Sequence, residues 1–223
     1  MLQRNVLPGS GSCLAQNSDS LAIGTPALNG GAGFNYLLLV SVARQPDQAV
    51  SYVRFFSPDL SVPGAFALTH VLTAGDLEIY AGQTAEGTGY SISQVHIKLS
   101  AVGQCAASVA VISGALGYQL DSSGSATFTK TSSPSTGAVQ RIAADTFLWG
   151  ALATKGPVTD DPGTWTSPLV GGLRAGTTGH PAASNRTLHE GFALTSTVGN
   201  DPGALTGIIS RACDIALVVY RAQ

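Results

Sequence analysis

Charge is the scarcest property of this sequence. Asp, Glu, Lys and Arg make up 11% of its 223 residues, less than half the usual share of about 25%. Eleven basic residues against thirteen acidic ones give a net charge of -2, which excludes the basic footprint of a nucleic-acid binder. A hydrophobic share of 44% excludes a disordered chain, which combines low hydrophobicity with high net charge. Cysteine is also scarce: Cys13, Cys105 and Cys213 are an odd count without a Cys-x-x-Cys spacing. Neither a disulfide framework nor a structural zinc site is expected, and the thiols read as free and buried. Long apolar runs are missing too, and a run such as residues 36–40 falls far short of a membrane span. Met1-Leu2-Gln3-Arg4-Asn5 lacks the apolar stretch of a secretory signal, and Ser10-Gly11-Ser12-Cys13 lacks the leucine of a lipoprotein box. Folding in a reducing cytoplasm is expected.

Glycine and proline supply the punctuation. Residues 1–33 read as an arm, because Pro8-Gly9-Ser10-Gly11-Ser12 and Asn29-Gly30-Gly31-Ala32-Gly33 are turn and linker chemistry. The arm is too poor in apolar residues to fold alone, so it is expected either to stay flexible or to order on a neighbouring subunit. Residues 34–223 read as one domain. Strands are predicted over 34–43, 49–56, 64–72, 76–80, 90–99, 104–113, 126–130, 137–142, 146–154, 186–195, 204–210 and 213–220. No segment keeps a 3.6-residue period, beyond one helical turn at 143–145. The predicted fold is an all-β antiparallel sandwich, jelly-roll-like, with an extended N-terminal arm. No internal repeat of about 20–50 residues is visible.

Two of these strands are apolar on both faces: 34–42 and 213–220 do not alternate, so each must be covered on two sides. They are predicted to pair as neighbours in one sheet. Residues such as Leu37, Leu39, Leu217 or Val219, depending on register, would then form an outer patch for another copy of the chain. Val95, Ile97 and Leu99, by contrast, alternate with Gln94, His96 and Lys98, which gives a strand with one wet face.

Catalytic signatures are missing. No phosphate-cradling glycine motif, nucleophile elbow or His-Glu-x-x-His pair is present. His189 and Glu190 are adjacent, so a strand sends them to opposite faces. Glu190 shares parity with Leu188 and Phe192, which aims it at the core, where a bulge at Gly191 or a buried pair with an arginine is expected. Asp160-Asp161 reads as a pair of solvated turn residues rather than a calcium site. A glycosidase needs two carboxylates about 5–10 Å apart, and the only glutamates are Glu78, Glu86 and Glu190. The loop 155–185 is long enough to be functional or interfacial. Within it Trp165, Arg174 and His180 are the candidate glycan or interface residues, with an anchoring role for Trp165 as the rival reading. No catalytic residue, cofactor or metal is assigned.

Four segments carry a family resemblance. They are Tyr36-Leu37-Leu38-Leu39-Val40-Ser41-Val42, the Ala/Ser-rich 106–114, Ala143-Ala144-Asp145-Thr146-Phe147-Leu148-Trp149-Gly150-Ala151, and 213–221. Over roughly residues 34–220 the chain resembles the jelly-roll-like β-sandwich modules of structural proteins of tailed bacteriophages, of the minor tail or fibre type. The resemblance implies a non-enzymatic virion component, assembled in the host cytoplasm and acting in assembly and host attachment. Its implied partners are copies of itself, as a homotrimer by analogy with fibres, other virion proteins and a host surface glycan. Nucleic-acid binding and membrane insertion are not implied. A capsid decoration protein and a free carbohydrate-binding module are the alternative readings.

Overall fold

The computed structural model describes residues 6–25, 28, 35–57, 66–84, 93–114, 117–160 and 163–222, with the side chains of 6–11, 113–114 and 222 excepted. Among the sequence expectations, the linker 29–33, the strand starts at 34, 64–65 and 90–92, Glu86 and Asp161 lie outside the described residues. The fold is all-β and antiparallel, a jelly-roll-like sandwich, as the pattern of strands and turns predicts.

Pairing divides the strands into two units. The first contains β1 (Val6–Thr25), β2 (Asn35–Ala43), β3 (Val50–Phe56), β4 (Phe66–Ala67), β5 (Thr69–Ala74), β6 (Leu77–Gln83) and β7 (Ser93–Gly114). The second contains β8 (Tyr118–Thr131), β9 (Ser135–Arg141), β10 (Thr146–Lys155), β11 (Thr164–Trp165), β12 (Val170–Gly176), β13 (Arg186–Thr195), β14 (Gly199–Thr206) and β15 (Arg211–Ala222). In the second unit the sheets run β12-β13-β10-β15-β8 and β11-β14-β9. In the first, β5-β6-β2 leads to the far half of β7 and to β1, while β3 lies on the near half of β7. These are the same plan. The continuous ribbon of β1 and β7 in unit 1 corresponds to β8 plus β9 and to β14 plus β15 in unit 2. The chain is thus built as a duplication with a period near 110 residues, too long for the repeat lengths considered from sequence.

Three apolar cores follow from this stacking. The first lies inside unit 1, where Leu38, Val40 and Val109 meet Val53, Phe55, Val95 and Ile97. The middle core joins the units: Leu37, Leu39, Ile79 and Ile112 face Phe147, Trp149, Leu188, Val218 and Tyr220. The third lies inside unit 2, where Leu148, Leu152, Ile215, Leu217 and Val219 are covered by Trp165, Leu169, Leu205 and Ile208. Each buried side chain of this size contributes about 1.5–3 kcal/mol.

Several expectations are corrected. The segments 34–42 and 213–220 are not neighbours in one sheet: β2 lies between β6 and β7, and β15 between β10 and β8. They are apolar on both faces because each separates two cores. Leu37, Leu39, Leu217 and Val219 are accordingly sealed within the chain, and the outer apolar patch expected for self-association does not form. The arm is extended, but residues 6–25 pair with β7 of the same chain and bury Leu21 and Ile23, rather than staying free or ordering on a neighbouring subunit. The expected break at 100–103 is a register shift within continuous β7, where buried Gln48 donates from Nε2 to the Ala101 carbonyl (2.9 Å). The expected helical turn at 143–145 is not helical, and Asp145 takes a positive φ of 61°. The helical turn among the described residues is a 3₁₀ turn at Ala182–Ser184. The loop 155–185 contains β11 and β12.

Candidate functional site

Three polar groupings stand out, two internal and one on the surface. The first is a charged clasp at one end of the middle core. Arg44 Nε donates to Glu78 Oε1 (2.6 Å), whose other oxygen accepts the Tyr80 hydroxyl. Arg186 Nε donates to the Arg44 carbonyl (2.8 Å), and its Nη2 lies 3.4 Å from Asp76 Oδ2, which Lys155 also approaches (3.5 Å). The Asp76 backbone N–H donates to Asp214 Oδ2 (2.9 Å). Three carboxylates thus meet three cations across β2, β6, β10, β13 and β15. Burial lowers the pKa of Arg186, with Asp76, Asp214 and Asp47 opposing, and burial raises that of Asp214. Gly75 must be glycine here: its φ is +52°, and a Cβ would collide with the Asp214 carboxylate. The clasp therefore holds the two units in register and leaves its charges balanced rather than available.

The second grouping is sealed in the middle core. Ser41 and Ser108 are cross-strand partners of β2 and β7. Glu190 reaches between the sheets and its Oε1 accepts the Ser108 hydroxyl. Trp149 Nε1 donates to Ser41 Oγ (3.0 Å). Glu190 is fully buried, and burial pushes its pKa up to about 8 against the opposing hydroxyls of Ser108 and Ser41. Parity correctly aims this carboxyl at the core, but its partners are serines and not an arginine. No bulge interrupts the pairing of β13 with β10, where Gly191 sits opposite Gly150. Sealed from water, this carboxyl has no route to a substrate.

The residues singled out in the long loop take different parts in the fold. Trp165 is a core residue of unit 2. Its ring lies over Gly150 and Gly191, where an added Cβ would approach it to 3.0 and 2.7 Å. Arg174 Nη2 donates to the Asp160 carbonyl (2.5 Å). His180 is exposed, and its carbonyl accepts from Asn185 Nδ2 (2.8 Å). Asp160 pairs with Arg211. A shallow cleft lined by Asp160, Arg174, His189 and Arg211 has room for about one water. The thiols of Cys105 and Cys213 are pushed up by burial to about 11 and 12. Among the described residues no three His, Cys, Asp or Glu side chains are grouped to hold a metal ion, and no helix is long and apolar enough to cross a membrane.

The third grouping went unremarked in the sequence. On the outer face of unit 1, Tyr52, Arg54 and Phe56 of β3 stand beside Lys98, His96 and Gln94 of β7. Tyr52 and Phe56 are 39% and 41% exposed. The signal was available: in Tyr52-Val53-Arg54-Phe55-Phe56 the alternation that buries Val53 and Phe55 leaves two rings and a guanidinium outside.

No family model matches this chain, and a search of curated proteins finds no match.

Proposed function

We propose that the chain is a non-enzymatic structural component of a tailed-phage virion, of the minor tail or fibre type. Its work is to present two stacked sandwich units as one rigid body. The observation that carries the non-enzymatic part is the fate of the reactive groups. Glu190 is sealed in the middle core, and the carboxylates of Asp76, Glu78, Asp160 and Asp201 are paired with arginine or lysine. Paired or buried groups of this kind stabilise a scaffold and do not poise an acid beside a base. The virion assignment is carried by the resemblance of the four strand segments.

Assembly as a trimer rests on analogy with fibres. The apolar residues that would have driven it are internal, so contacts with copies or with other virion proteins fall to the outer faces and edge strands. A capsid decoration role is the second reading. Quantitative mass spectrometry of purified particles separates the two: a tail or fibre protein is present in few copies, a decoration protein in hundreds. Absence of the chain from purified particles overturns the proposal.

A further inference from the structure

Two units built to one plan can be compared face for face. In unit 2 the outer face of β11, β14 and β9 exposes Thr164, Thr206, Asn200, Pro202, Gln140 and Ala138. Among the described residues that face has no aromatic ring and no charge. The matching face of unit 1 exposes Tyr52, Arg54 and Phe56, with His96 and Lys98 alongside. The scaffold does not require these side chains, since its sister face is made without them.

Their arrangement is ordered. The Arg54 guanidinium lies over the Tyr52 ring at 4.9 Å, and Arg54 is exposed, so the ring backs a fork that faces solvent. Phe56 and His96 are 5.6 Å apart, and His96 Nε2 meets Gln94 Oε1 at 3.0 Å. On the other side of β7, Ala22 and Gly24 of β1 are exposed opposite His96 and Gln94. A Cβ added at Gly24 would meet nothing within 4 Å, so among the described residues the strand surface beside the rings is open at this point. Tyr52 and Phe56 are four residues apart on a strand, about 13 Å, the reach of a short oligosaccharide.

We propose that this face binds an acidic oligosaccharide, a sugar ring stacked on Phe56 and a sugar carboxylate held by the Arg54 fork, which the Tyr52 ring backs. The aromatic face of Phe56 suits the C–H face of a pyranose ring, and a guanidinium backed by a ring suits bidentate capture of a carboxylate. Single-stranded nucleic acid would also stack on the rings, but it requires a groove of several cations. Here Lys98 is paired with Asp19 at 2.7 Å, and the whole chain carries a net charge of -2. The inference goes beyond the scaffold role and does not rest on it: binding by the purified protein tests this face alone, whatever particle carries it.

The test is a glycan array of sialylated, uronic-acid and neutral oligosaccharides probed with the full chain, followed by titration of any retained glycan in solution. Retention of an acidic glycan is expected, at least tenfold tighter than its neutral counterpart. Tyr52→Ala and Arg54→Ala should each weaken it at least tenfold, and Ala22→Glu, which adds a carboxylate to the strand surface beside the rings, should do the same. All three positions are exposed, so thermal melts of the variants should overlay that of the parent. Three results would overturn the proposal: no acidic glycan retained, retention indifferent to all three variants, or equal retention of neutral glycans. Binding of oligo(dT) that is lost in the same variants, without acidic-glycan binding, would reassign the face to single-stranded nucleic acid.

Discussion

Glu190 makes the stability of this protein depend on pH in an unusual direction. Its ordinary pKa of 4.5 is pushed up to about 8 in the folded chain, chiefly by burial. Between those values the folded state keeps a proton that the unfolded state releases. Folding is then favoured at low pH and weakened as pH rises. The full contribution is present below about pH 4.5 and has been lost by about pH 8. At about 1.4 kcal/mol per pKa unit, the loss between pH 5 and pH 8 is on the order of 3–4 kcal/mol. Glu190→Gln keeps the shape and removes the titration. Its amide N–H₂ needs an acceptor in the same place, which costs about 1–3 kcal/mol, so the variant should be the less stable protein at pH 5 and should equal or exceed the parent at pH 8. Urea unfolding of both proteins at pH 5, 6, 7 and 8 measures the difference, and the subtraction removes the histidines and Asp214, which are common to both. A difference constant to within about 0.5 kcal/mol across that range would refute the reasoning, because it would mean that the carboxyl titrates as if in water.

Trp165→Ala should destabilise the chain by about 3–5 kcal/mol in urea unfolding, because the ring fills the space over Gly150 and Gly191. Gly191→Ala should cost about 1–3 kcal/mol by overpacking against the same ring. Arg186→Met should lower stability by about 3–5 kcal/mol, since it leaves Asp76 and Asp214 facing each other without their guanidinium. A loss under 1 kcal/mol would mean that Lys155 and water suffice. Thiol titration should find three free cysteines in urea. In the native protein only half-buried Cys13 should react at neutral pH, slowly, while Cys105 and Cys213 stay inert. A reductant should accordingly leave the melting temperature unchanged.

The strands were legible because alternation and turn residues act locally, and the buried parity of Val95, Ile97 and Leu99 was read correctly for that reason. What covers a strand is not local. The run 35–43 announces that it is apolar on both sides, yet nothing in it distinguishes a second copy of the chain from a second unit of the same chain. The duplication stayed hidden for a related reason. The unit 1 ribbon is continuous through Gly103, which pairs with Ser18, whereas in unit 2 the matching ribbon is interrupted at 132–134 and 207–210. Residues 6–25 moreover read as an arm, whereas their counterparts in unit 2 read as strands, so the equivalence did not show. β11 is only two residues long, too short for any period, so the sequence could mark Trp165 as an anchor but not show where it lands. The outer face of unit 1 was legible in principle from the parity of Tyr52, Arg54 and Phe56. It was passed over because a strand carrying two rings outward resembles a core strand until its neighbours are known.

The central claim is that two units of one chain share the middle core, with Trp149 of unit 2 reaching Ser41 of unit 1. The indole N–H of Trp149 reports on it directly through nuclear Overhauser contacts in isotope-labelled protein. The account expects cross-peaks from that proton to the Ser41 side chain, unchanged on dilution, and exchange of the proton with solvent no faster than global unfolding. An indole N–H that exchanges freely, or whose contacts to Ser41 vanish on dilution or arise only between differently labelled chains, would contradict it.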